Sequence, residues 1–153
     1  MNSISQKPIM LLGEHIHIID DKKRLSLPAK FRKELGKKVV ITNGLDKCLF
    51  VYTETQWKKI AEKLSDLPVG QADTRSFNRF FLGGAVEAEV DALGRILIPD
   101  FQKEFAGLAN KVVIVGVHNR LEIWNDKAWV EYKSRIEKQA DVVAEKLGEL
   151  GAI

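Results

Sequence analysis

Two short stretches of this chain alternate with a period of two. Ile16 and Ile18 alternate with His15 and His17, and Val86, Ala88 and Val90 alternate with Glu87 and Glu89, the pattern of half-buried strands. An Asp-x-x-x-Arg turn follows each one, at residues 20–24 and 91–95. Each turn leads into a strand whose inward residues are Leu25 and Leu27, or Ile96 and Ile98, so each place is expected to open with a hairpin. Pro28 and Pro99 then stand where a first helical residue would, and Gly36 and Gly107 where a cap would end a helix of about two turns. A second hairpin is expected from residues 39–42 and 48–52, with the turn-forming residues 43–47 between them, and another from 112–115 and 120–124 through 116–119. The pattern predicts β-β-α-β-β, twice.

The repetition extends to residue identity. Asp20-Asp21-Lys22-Lys23-Arg24-Leu25-Ser26-Leu27-Pro28 returns as Asp91-Ala92-Leu93-Gly94-Arg95-Ile96-Leu97-Ile98-Pro99, an offset of 71 residues between Asp20 and Asp91. Val39-Val40-Ile41-Thr42 and Trp57 return as Val112-Val113-Ile114-Val115 and Trp129, with small drifts in the offset. One supersecondary unit has been duplicated. A unit of about 45 residues without disulfides builds little core alone, so the two copies are expected to share one. Duplication also predicts pseudo-two-fold symmetry, and a symmetric pair of loops suits a symmetric ligand such as duplex DNA.

Between the copies, residues 53–67 carry Trp57, Ile60, Ala61 and Leu64 on one helical face, and Pro68 and Gly70 end that helix. A second helix, at about 73–82, presents Phe77, Phe80 and Phe81 and stops at Gly83-Gly84. These aromatics read as core rather than as a ligand platform. After the second copy, residues 126–150 form one long helix. Its stripe of Trp129, Tyr132, Ile136, Ala140, Val143, Leu147 and Leu150 is close to a heptad seam. The stripe could cover its own chain or a neighbouring subunit, and the neighbour is favoured because a small β-domain has limited surface left to cover.

Composition narrows the class without naming it. The chain has 153 residues, 45% hydrophobic and 29% charged, as expected for a soluble globular protein. No apolar run approaches the length of a membrane span, and residues 1–8 lack the apolar core of a secretory signal. Cys48 is the single cysteine, which excludes a disulfide framework and suggests a reducing, cytoplasmic setting. The net charge is only +3, but Lys22, Lys23, Arg24, Lys30, Arg32, Lys33, Lys37 and Lys38 cluster against the single acid Glu34 between residues 22 and 38. Residues 92–111 of the second copy hold only Arg95, Lys103 and Lys111, against Asp100 and Glu104. A cluster of this kind is the footprint of a phosphate-binding face, although a run of charge is also what a solvated face looks like.

The turn motif has its own logic. Asp20 and Asp91 can accept hydrogen bonds from the amides of their loops and fix their shape. Arg24 and Arg95 at the turn exits can then bridge phosphates or read the O6 and N7 edge of guanine. Simple pairing of each Asp with its own Arg is the alternative, made less attractive by the repetition. His15 and His17 share one strand face, as two metal ligands would, but no third ligand has an obvious counterpart, so no metal or cofactor is expected. There is no Gly-rich phosphate loop, no nucleophile with an evident base and no pair of catalytic carboxylates, so the chain reads as a binder and not an enzyme.

The paired Asp-x-x-x-Arg hairpins, running into Leu-Ser-Leu-Pro at 25–28 and Ile-Leu-Ile-Pro at 96–99, resemble the swapped-hairpin fold of the SpoVT/AbrB class. Two copies in one chain, with Gly44-Leu45-Asp46-Lys47-Cys48-Leu49-Phe50-Val51-Tyr52 in the first and Val113-Ile114-Val115-Gly116-Val117 with Leu121-Glu122-Ile123-Trp124 in the second, are similar to the MraZ family. The resemblance runs from about residue 12 to 129. It implies an α+β fold in which the duplicated units form a pseudo-two-fold swapped-hairpin (double-split) β-barrel, with linker helices and a long C-terminal helix. The domain organisation expected on this basis is a disordered extension at 1–11, repeats at 12–57 and 85–129, a helical linker at 58–84 and the terminal helix at 126–150.

The resemblance also implies a bacterial transcriptional regulator of its own operon in the division and cell wall gene cluster. Such a protein binds tandem promoter boxes as a ring-like homo-oligomer, associated with the nucleoid and taking no small-molecule substrate. The expected DNA-binding residues are Arg24, Lys22, Lys23, Lys30, Arg32, Lys33 and Arg95, and the expected loop-shaping residues are Asp20, Asp91 and Gly94. An antitoxin-like or structural interaction module of the same fold is the alternative, but antitoxins of this class generally carry one hairpin unit and a disordered acidic tail. The chain departs from the family at Lys23, where Gly is often found, as at Gly94. If that position needs positive φ, Lys is strained there by about 1 kcal/mol; otherwise the turn differs and exposes one more cation.

Overall fold

The computed structural model describes residues 9–153; most of the expected N-terminal extension lies outside the described residues. The first copy contains β1 (Leu11–Ile18), β2 (Arg24–Ser26), a 3-10 turn (Ala29–Phe31) running into α1 (Arg32–Leu35), β3 (Lys38–Asn43) and β4 (Leu49–Thr53). Helices α2 (Glu54–Ser65) and α3 (Ala72–Phe81) connect it to the second copy. That copy contains β5 (Val86–Glu89), β6 (Arg95–Leu97), α4 (Asp100–Phe105), β7 (Lys111–His118) and β8 (Leu121–Asn125), and α5 (Asp126–Glu149) follows. The fold is α+β, with an antiparallel sheet in the order β1-β7-β8-β4-β3-β5 and a separate two-stranded ribbon, β2-β6.

The expected opening hairpins are corrected by the pairing. Each turn closes, with the Asp20 amide donating to Arg24 O and the Asp91 amide to Arg95 O, both at 2.9 Å. Beyond the first turn, the flanking segments share only the single bridge Ile19↔Leu25. Instead β1 pairs with β7, β5 with β3, and β2 with β6 in the register Leu25↔Ile96. The reason is burial. A three-residue strand has no face of its own to shelter, whereas pairing across the copies drives Leu25, Leu27, Ile96 and Ile98 into a common core with Val39, Ile41, Val112 and Ile114.

The facing of β1 is also the reverse of what its alternation suggests. Ile16 and Ile18 are 65% and 57% exposed, while His15 and His17 are half-buried. Leu11 and Ile19, at the two ends of the segment, are buried on the histidine side and fix the register. His15 and His17 lie opposite the buried Ile114 and Val112, and the ring of His15 meets Phe31 edge-on at 5.2 Å. In β5 the expected facing is found, with Ala88 buried and both glutamates exposed.

The other face of the sheet, with Phe50, Tyr52, Val113, Val115 and Trp124, is covered by the linker helices and the start of α5. Phe81 is the centre of this layer, stacked on Trp57 at 5.4 Å and on Phe77 at 5.3 Å. The linker aromatics are therefore core. Cys48 is fully buried beside them, and burial pushes its thiol up. The terminal helix docks only by its first turns. Trp129 is buried and donates to Glu14 Oε1 at 2.8 Å, and Lys133 Nζ reaches Glu14 Oε2 at 2.8 Å. Farther along the stripe Val143 and Leu150 are 45% and 80% exposed.

Candidate nucleic-acid interface

The ribbon β2-β6 sets the geometry of the two turns. Arg24 lies opposite Leu97, Leu25 opposite Ile96 and Ser26 opposite Arg95. Because side chains alternate across a strand, Arg24, Ser26, Arg95 and Leu97 share one face and Leu25 and Ile96 the other. Leu25 and Ile96 are buried, so the face with both arginines points outward. The strands are antiparallel, which places the two turns at opposite ends of the ribbon. Exchanging Leu25 with Ile96 also exchanges Arg24 with Arg95, so the pair marks a local two-fold.

Each turn is shaped by its aspartate. Asp20 Oδ1 accepts from the amides of Lys22 and Arg24, and Asp91 Oδ1 from those of Leu93 and Arg95, all at 2.9 Å. The second oxygen faces the arginine, at 2.8 Å from Nε in the Asp91–Arg95 pair and 3.5 Å in the Asp20–Arg24 pair. These contacts hold both carboxyls below the usual range, the motif arginine's amide being the largest cause in each turn. Arg95 thus donates from Nε to its aspartate, whereas Arg24 Nε is buried beside Asp20 in an ion pair without a hydrogen bond. Among the described residues their terminal guanidinium nitrogens donate no hydrogen bond, and these are the atoms that can reach a ligand.

The residue before each arginine completes the ribbon. Ile98 N donates to Lys23 O and Leu27 N to Gly94 O, both at 2.9 Å, so the ladder gains one bond at each end. The geometry requires positive φ, 65° at Lys23 and 77° at Gly94. The turns are alike, and Lys23 occupies a glycine conformation.

The basic stretch divides into exposed and tethered side chains. Lys22, Lys30 and Lys33 are exposed, with Lys30 Nζ 5.1 Å from the centre of the Phe31 ring. Lys23 Nζ makes an ion pair with Asp100 Oδ2 at 2.7 Å, which keeps that carboxyl below its ordinary range. Arg32 is half-buried, and its Nε donates to Leu27 O at 3.2 Å. Its guanidinium lies over Gly94, where an added Cβ would come 2.2 Å from Nε. Asp100 and the outward Leu97 lie outside the basic run, and only the cross-copy pairing of β2 with β6 brings them to the first turn. Among the described residues no three His, Cys, Asp or Glu side chains gather as a metal site. His17 instead has its proton disfavoured by burial, then by His15 and Arg32.

Comparison with known proteins agrees with the duplicated architecture. The family profile described as "MraZ protein, putative antitoxin-like" matches twice, over residues 10–80 and 81–148. The transcriptional regulator MraZ of Caldanaerobacter subterraneus subsp. tengcongensis is 51% identical over 138 residues, 90% of this chain and 96% of that protein. That of Thermoanaerobacter sp. (strain X514) is 49% identical over 141 residues, 92% of this chain and 99% of that protein. The Syntrophomonas wolfei protein of the same name is 44% identical over 142 residues, 93% and 99% of the two chains. With two matched units and identity of this order along nearly the full length, the chain belongs to the MraZ family.

Proposed function

We propose that the protein is a transcriptional regulator that binds duplex DNA through the outward face of the β2-β6 ribbon. The observation that carries this reading is the placement of Arg24 and Arg95 on one side of an antiparallel ribbon, since a two-stranded ribbon has the dimensions of the major groove. Arg24 and Arg95 read base edges, each held by its aspartate. Lys22, Lys23, Lys30 and Lys33 engage the backbone phosphates, and the aspartates and Gly94 shape the turns. The cross-copy ribbon, with each turn leading out of one copy and into the other, supports a swapped-hairpin barrel. The names of the relatives support the regulatory role.

The target is the promoter of the protein's own operon, in the division and cell wall cluster, bound as tandem short boxes by a ring-like homo-oligomer at the nucleoid in the cytoplasm. The exposed second half of the α5 stripe supports assembly. A footprint on the DNA just upstream of the gene tests the reading directly, with protection of regularly spaced boxes as the expected result. Arg24→Ala should abolish that protection, and Arg95→Ala should weaken it less, because only the first turn adjoins the dense basic stretch. A lost bidentate base contact is worth roughly 1–3 kcal/mol. Protection that survives Arg24→Ala would overturn the assignment of the reading face.

A further inference from the structure

Arg32 does not stand among the lysines that face solvent. Its Nε donates to Leu27 O, and Leu27 N donates to Gly94 O, so one residue of the first copy is bonded to Arg32 on one side and to the second turn on the other. The same side chain covers Gly94, with the guanidinium Nε and Cζ and the adjoining Cδ lying 2.2, 2.5 and 2.6 Å from where a Cβ would be. Arg32 belongs to α1 of the first copy, and Gly94 to the turn that presents Arg95 in the second. A planar, permanently charged group with a fixed fork of donors suits such a strut better than a lysine would.

We propose that Arg32 is a positioning residue, which holds the second turn in its reading conformation from the opposite copy and makes no contact with the DNA backbone. The first turn is held across the copies in a different way. Lys103 stands at the position equivalent to Arg32, and the tie runs from Lys23 to Asp100 on α4. The two turns share a shape but are held by unlike supports: an exposed ion pair for the first, a packed guanidinium for the second. The inference rests on the DNA-binding reading only for its consequence, since the strut itself is a property of the protein alone.

The test therefore has an arm without DNA. In the free protein, Arg32→Ala should raise hydrogen exchange at the Leu27, Gly94 and Arg95 amides about fivefold to tenfold, as one lost hydrogen bond implies. The Lys22 and Arg24 amides of the first turn should be unaffected. Gly94→Ala should lower the melting temperature more in the native background than in Arg32→Ala, because the added methyl meets the guanidinium only when it is present. Unchanged exchange at the second turn, or strictly additive melting losses, would overturn the proposal. In the second arm, titration on the upstream duplex at several salt concentrations should show Arg32→Ala weakening binding with an unaltered salt slope. A slope shallower by about one unit would identify a phosphate contact and overturn the proposal. Coupled melting losses in a protein that binds no DNA would support the strut and refute the DNA-binding reading instead.

Discussion

Lys23 holds φ at 65° because its carbonyl must accept from Ile98 while the chain reverses into Arg24. A side chain in that region carries strain of about 1 kcal/mol, and the exposed ion pair with Asp100 offsets little of it in water. Lys23→Gly should raise stability by up to about 1 kcal/mol in urea unfolding, less the entropy a glycine returns to the unfolded chain. A clear loss would mean that the ion pair outweighs the strain. At His17 the issue is a proton. Burial, His15 and Arg32 hold its folded pKa below the usual 6.5, so the folded state favours the neutral ring. Its contribution to stability is complete above 6.5 and is lost as pH falls from there through the lowered folded value. Urea midpoints measured from pH 7.5 to 5 should therefore fall, and His17→Gln should flatten that fall. Both residues are plain in the sequence. The repeat counterpart Gly94 already points to the strain at Lys23, whereas the burial of His17 is not legible, because it follows from β7 of the other copy.

Among the elements, the sequence's period-2 and period-3.6 patterns locate the strands and helices and give the second hairpins, β3 with β4 and β7 with β8, but not the partners of the opening strands. The turn motif announces a hairpin, and the structure uses it to send the chain across to the other copy. The facing of β1 shows the same limit, since Leu11 and Ile19 set its buried side while the apolar Ile16 and Ile18 remain exposed. The anchoring of α5 depends on Trp129, whose ring centre lies 5.2 Å from that of Trp124 and 6.2 Å from that of Tyr132 and whose indole is bonded to Glu14. Trp129→Ala should destabilise the protein by roughly 3–5 kcal/mol, as truncating a buried aromatic does. Lys133→Ala should cost far less, since its pair with Glu14 is partly solvated. Comparing the two urea midpoints checks whether the helix is held by packing or by charge.

Across the whole molecule, the two copies close around one core and leave the far part of α5 uncovered. Ile136 is 38% and Leu147 41% exposed on the same stripe, which a helix of 24 residues in one chain does not shelter by itself. If assembly uses this stripe, Ile136→Glu with Val143→Glu should lower the mass seen by light scattering and leave the β-rich circular dichroism intact. Binding to tandem boxes should then weaken far more than binding to a single box, because linked sites bind as one only while the subunits remain joined. An unchanged mass would exclude the stripe as the subunit contact.

The duplication, the eight strand segments, the linker and terminal helices, and the pair of Asp-x-x-x-Arg turns are all legible in the sequence. Those features are local: periodicity, turn chemistry and repetition at 71 residues are all written within short windows. The pairing of β2 with β6, the shared outward face of the two arginines, and the meeting of Arg32 with Gly94 and of Asp100 with Lys23 come from packing between distant segments. Each of those contacts is made between copies, and burial of the shared core selects among the pairings that local pattern leaves equivalent.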